Sequence, residues 1–164
     1  MLTNDISPAL ARILTELTVG TTPTGGYVLN RGDVGLLRSL DALSASQAST
    51  NVNEGATIAA HAQHLRYGLS LFNRWAAEGG NPFADAKWDA AWKTSRVTEP
   101  QWQEIRDGLR DEAQHWRDAI ASPREVTDVE LTGLIASVAH LAYHLGAIRQ
   151  IDKGTRGPTE GTFN

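Results

Sequence analysis

His140 and His144 stand four residues apart in the run 137–150, SVAHLAYHLGAIRQ, which otherwise reads as an apolar helix. Residues i and i+4 of a helix share a face one turn apart, so both imidazoles project in one direction. Neutral imidazole is a common transition-metal ligand, and the pair makes a two-tooth clamp. The run lacks the glutamate of H-E-x-x-H, so zinc-peptidase chemistry is not supported. A third ligand must come from elsewhere. The only other histidine-rich stretch is Ala60-His61-Ala62-Gln63-His64-Leu65, more than seventy residues upstream. Two helices of one bundle could bring three nitrogens together. The competing reading is that the histidines merely pack.

The elements that must position these residues are legible as helices. Ser7 as N-cap with Pro8 at the first helical position opens a helix through Leu17 that Gly20 ends. Residues 21–32, TTPTGGYVLNRG, read as a loop, 34–43 as a short helix, and the small polar stretch 44–54 as a connection. A second long helix is expected over 56–77. On it Ile58, His61, His64, Leu65, Leu69, Phe72 and Trp75 share one arc, opposite Gln63, Arg66, Ser70, Asn73 and Arg74. Both histidines turn inward, and periodicity does not choose between them.

Gly79-Gly80-Asn81-Pro82 breaks the chain, and 83–96 carries Trp88 and Trp92 at i, i+4. These either cap the end of the core or wall a substrate pocket. A capping box at Thr98-Glu99-Pro100-Gln101 opens a third long helix to Ala121, with Trp102, Ile105, Leu109, Ala113 and Trp116 inside. Glu112 and His115 have E-x-x-H spacing, but no second copy exists, which argues against a di-iron bundle site and favours an exposed or half-buried His115. Thr127-Asp128-Val129-Glu130 is another capping box and opens the fourth long helix, which carries His140 and His144 to about Ile151. The turn-rich tail after Lys153 is expected to pack loosely.

A chain of 164 residues fits one domain, and 41% hydrophobic with 21% charged residues is the balance of an ordinary globule. The absence of cysteine removes disulfides, thiolate metal sites and a cysteine nucleophile together. A net charge of -4 argues against a general nucleic-acid binder. The N-terminus lacks a basic region followed by an apolar stretch, no run is expected to reach the length of a membrane span, and a cytoplasmic location without a membrane partner is the expectation.

Four helical runs without a strand pattern, an inward histidine region on the second and H-x-x-x-H on the fourth make residues 7–152 resemble the DinB/YfiT-like family. The sharpest match is His140-Leu-Ala-Tyr-His144-Leu-Gly-Ala-Ile, similar to the family's H-x-x-x-H-R-G-Q-I ending, with Leu145 and Ala147 in place of the usual Arg and Gln. The other is Thr57-Ile58-Ala-Ala-His61-Ala-Gln-His64-Leu65, whose register selects His64 and leaves His61 as a neighbour or alternative ligand.

The resemblance implies an all-α fold: a four-helix bundle of up-down-down-up connectivity with short extra helices in the connections. It implies a single domain over 1–164, with core 7–152 and tail 153–164, and a homodimer. It also implies a divalent ion on His64, His140 and His144, zinc or nickel first and manganese or iron next. Characterised members include bacillithiol transferases and mycothiol-dependent enzymes such as maleylpyruvate isomerase.

Three histidines leave coordination positions open, as catalytic sites do. With the resemblance, the expected activity is a metal-dependent thiol S-transferase acting on a small-molecule substrate, the thiol arriving as a low-molecular-weight cosubstrate because the chain has none. The alternatives are a hydrolase using metal-bound hydroxide and a non-catalytic metal or ligand-binding bundle. No general base is assigned: Glu54, Glu78, Asp85 and Glu112 qualify only by type, and Tyr143, Arg149 and Gln150 only by lying near the clamp in sequence.

Overall fold

The computed structural model describes residues 2–159, and every regular element among them is helical: α1 (Ser7–Val19), α2 (Gly35–Asp41), α3 (Ala45–Ala48), α4 (Ile58–Glu78), α5 (Trp88–Trp92), α6 (Glu99–Ala121), α7 (Asp128–Ile151) and a 3₁₀ turn, Lys153–Thr155. No strand occurs among the described residues; pairing is confined to isolated bridges between Leu2 and Glu125 and between Thr22 and Gly25. The expected all-α class holds. The chain divides into two compact units, one running to Leu40 and resuming at Ile120, the other spanning Asp41–Ala119.

In the first unit α1 packs on α7. Leu14 and Leu17 of α1 and Leu134, Leu141, Leu145 and Ile148 of α7 are buried. Pro8 occupies the first turn as expected, but Ser7 is not the cap. It is already helical, Ile6 takes the capping position without a side-chain bond, and the Ser7 hydroxyl donates to Thr3 Oγ1 at 2.9 Å. The segments before α1 and α7 are tied together by Thr3 N–H to the Arg124 carbonyl and Arg124 N–H to Thr3 Oγ1, both 3.0 Å.

The loop after α1 closes on itself where Thr21 N–H donates to the Asp33 carbonyl at 2.9 Å. Gly20 has φ +111°, and a Cβ there would lie 2.4 Å from the Asp33 carbonyl oxygen, so this neck requires glycine. The loop is held down by Glu16, a buried carboxylate on α1 that accepts the N–H groups of Tyr27 (2.8 Å), Val28 (2.7 Å) and Leu29 (2.6 Å). Burial pushes the Glu16 carboxyl up, but the three backbone donors outweigh that and hold it below its ordinary value.

α7 opens on the expected capping box: Thr127 Oγ1 accepts from Glu130 N–H and the Glu130 carboxylate accepts from Thr127 N–H at 2.7 Å. It is apolar enough over 18 residues to meet the length and composition of a membrane span. The expectation that no run reaches that measure is corrected; single-residue polar interruptions such as His140 and His144 do not lower the average enough. The segment after α7 is held more firmly than expected. Thr155 is buried, Arg156 bonds the Arg149 carbonyl at 2.9 Å, and Asn30 donates to the Pro158 carbonyl at 2.9 Å; residues 160–164 of the expected tail lie outside the described residues.

In the second unit α4 packs against α3 and α5. The stretch expected to be a bare connection contains α3, because Ser44 and Gln47 form a reciprocal capping box that the small-residue composition masks. Thr57 caps α4, accepting from Ala60 N–H and donating to the Ser95 carbonyl at 3.0 Å. α6 buries Trp102, Ile105, Leu109, Ala113 and Trp116, the five expected positions. Trp102 Nε1 donates to the Leu43 carbonyl at 2.8 Å, and Trp116 meets Phe72 at 5.0 Å between ring centroids.

Candidate metal centre

On α7 the i, i+4 spacing does what helical geometry requires. The His140 and His144 rings lie 4.4 Å apart at 88°, with their Nε2 atoms 2.9 Å from each other. His144 is buried and His140 half-buried. Burial lowers the His140 pKa below its ordinary value, so this ring is neutral near pH 7. Tyr143, 71% exposed, stands edge-on to His144 at 5.1 Å.

On α4 both His61 and His64 are buried, as the apolar arc predicts. They differ in their neighbours on α5. The Trp92 indole stacks on His64 at 4.3 Å and 23°, and meets His61 edge-on at 5.3 Å and 82°. Trp88 lies 5.4 Å from His64, tilted 47°, and makes a T-shaped contact with Tyr67 at 5.5 Å. The Tyr67 hydroxyl in turn accepts Lys87 N–H at 2.9 Å, which fixes the entry to α5. The i, i+4 tryptophans thus form an aromatic wall against the histidine face of α4.

His64, His140 and His144 each offer a ring nitrogen within 4.8 Å of the others, a group that could hold a metal ion. His61, the alternative on the same helix, is not in it. The donor chemistry fits: imidazoles suit zinc and nickel, and the 2.9 Å between His140 and His144 is close to the ~2.9–3.4 Å separating adjacent nitrogens bound ~2.0–2.1 Å from one centre.

The carboxylates considered from sequence do not join the group. Glu112 instead accepts Asn73 Nδ2 at 2.6 Å, while Glu54, Glu78, Asp85 and His115 are exposed. Arg149 pairs with Asp33 at 2.8 Å, Gln150 is exposed, and Leu145 is buried where the family pattern has arginine. Sequence reasoning missed the stacking of Trp92 on His64 and the buried acids Glu16 and Asp33. The first was signalled by the tryptophan spacing, and Glu16 by its place between core positions Leu14 and Leu17.

Fold and site together define an all-helical chain with a three-histidine group able to hold a metal ion. Compared with known proteins, it matches no family model, no curated protein and no solved structure.

Proposed function

We propose that this is a DinB/YfiT-like, metal-dependent enzyme that holds a divalent ion on His64, His140 and His144 and activates a low-molecular-weight thiol for transfer to an electrophilic substrate. The observation that carries the reading is the approach of three imidazole nitrogens to within 4.8 Å. An ion bound there supplies Lewis acidity that lowers the pKa of an incoming thiol. The chain's own residues supply the rest. Burial keeps His140 neutral, Trp92 orients the His64 ring, and three ligands rather than four leave a position for the cosubstrate. The thiol must come from outside because the chain contains no cysteine.

The family reading extends to a four-helix bundle of α1, α4, α6 and α7 and to a homodimer. Its support is the register of the two histidine segments and the uncharged outward positions Ile135, Ala136, Ala139, Tyr143 and Gly146 on α7. The reaction is tested by incubating metal-loaded and metal-stripped protein with a panel of low-molecular-weight thiols and an electrophile. Metal-dependent conjugation of the thiol is expected. Thiol-independent addition of water would replace the transferase reading with a hydrolase, and absence of both reactions would leave a binding module.

A further inference from the structure

Away from the histidines, within the first unit, a cavity of about 220 Å³ is bounded by Asn30, Asp33, Arg149, Gln150, Arg156 and Gly157. It holds two guanidinium groups and one carboxylate. The carboxylate is committed: Asp33 Oδ1 accepts Arg149 Nη2 at 2.8 Å and Gly35 N–H at 2.8 Å. Arg156 bonds only neutral acceptors, the Arg149 carbonyl at 2.9 Å through Nε and Gln150 Oε1 at 3.2 Å through Nη2, and it makes no ion pair among the described residues. One positive charge is therefore in surplus at the cavity.

Gly157 brings the segment carrying Arg156 close: a Cβ there would fall 1.9 Å from Asp33 Oδ2. The volume lies below the ~300 Å³ at which pockets enclose a drug-sized ligand. It suits a single tetrahedral or planar anionic group.

We propose that this cavity is an oxyanion site that takes phosphate, either as the free ion or as the terminal group of a larger ligand, with Arg156 as its principal cation and Arg149 as its floor. Guanidinium forks match phosphate oxygens in pairs, which a point-like ammonium does not. The site is independent of the histidine group, so it is tested on protein stripped of metal with a chelating resin.

Inorganic phosphate is titrated at constant ionic strength against a chloride control, following backbone amide shifts by NMR. Saturable shifts at Asn30 and Gly157 are expected with phosphate and not with chloride. Arg156→Gln, at an exposed position, keeps the helical circular dichroism and weakens binding about tenfold or more. Phenyl phosphate binding tighter than inorganic phosphate assigns the site to a terminal group, and the reverse order assigns it to the free ion; either supports the proposal. Shifts that fail to saturate, that chloride reproduces, or that persist at equal affinity in Arg156→Gln would overturn it.

Discussion

Replacing Trp92 by alanine removes the stacked partner of His64 and the edge-on partner of His61 while leaving every histidine in place. Each aromatic contact contributes about 0.5–1.5 kcal/mol beyond its buried area. For metal binding only the His64 contact matters directly, because it restricts the ring to one orientation. Losing it frees a side chain that must then be immobilised on binding, at about 0.5–1.5 kcal/mol. Taking about 1 kcal/mol as the central value, the affinity for zinc or nickel falls roughly fivefold.

The assay is a competition titration against a chelator of known affinity, with Trp92→Phe alongside. Phenylalanine restores a ring face, so its affinity should lie between those of alanine and wild type. Helical circular dichroism checks that α4 and α5 survive. An unchanged dissociation constant in a folded Trp92→Ala protein, or a phenylalanine variant no better than alanine, would refute the idea that the indole orients the ligand.

Glu16→Gln should cost about 2–3 kcal/mol in urea denaturation at neutral pH, since an amide NH₂ would face one of the three loop N–H donors and the other bonds would lose their charge assistance. The folded carboxyl titrates below its ordinary value, so its contribution is complete above the normal carboxylate range and is lost as pH falls through the lowered value. The difference between Gln and wild type should therefore shrink in strongly acidic buffer; a constant difference contradicts the assignment. Ile135→Glu with Ala139→Glu should convert the proposed homodimer to a monomer by light scattering, and an unchanged mass means that α7 does not carry that interface.

The sequence shows the long helices more clearly than the short ones for a physical reason. Thr57 to Glu78 advertises itself by its cap and by an apolar face sustained over several turns, and Thr127 to Ile151 by its capping box and a long, nearly uninterrupted apolar run. α3 spans only Ala45–Ala48, too short for any period, and its Ser44–Gln47 capping box was hidden in a run of small polar residues. The two segments of the histidine group were legible because i, i+4 on a helix fixes relative direction. The choice of His64 over His61 was not, since both share the buried arc of α4, and it came only from the family register. The core positions Leu14 and Leu17 mark Glu16 as buried, but its backbone-amide partners and the distant arginine that pairs with Asp33 leave no mark in the local sequence.

The central claim is that His64, His140 and His144 share one ion. Metal content measured after equilibrium dialysis against zinc or nickel tests it most directly, with single alanine variants at positions 61, 64, 140 and 144. One ion per chain is expected in wild type and in His61→Ala, and loss of stable binding is expected in each of the other three. No retained ion in the folded wild type, or undiminished retention by His64→Ala, His140→Ala or His144→Ala, would contradict the account.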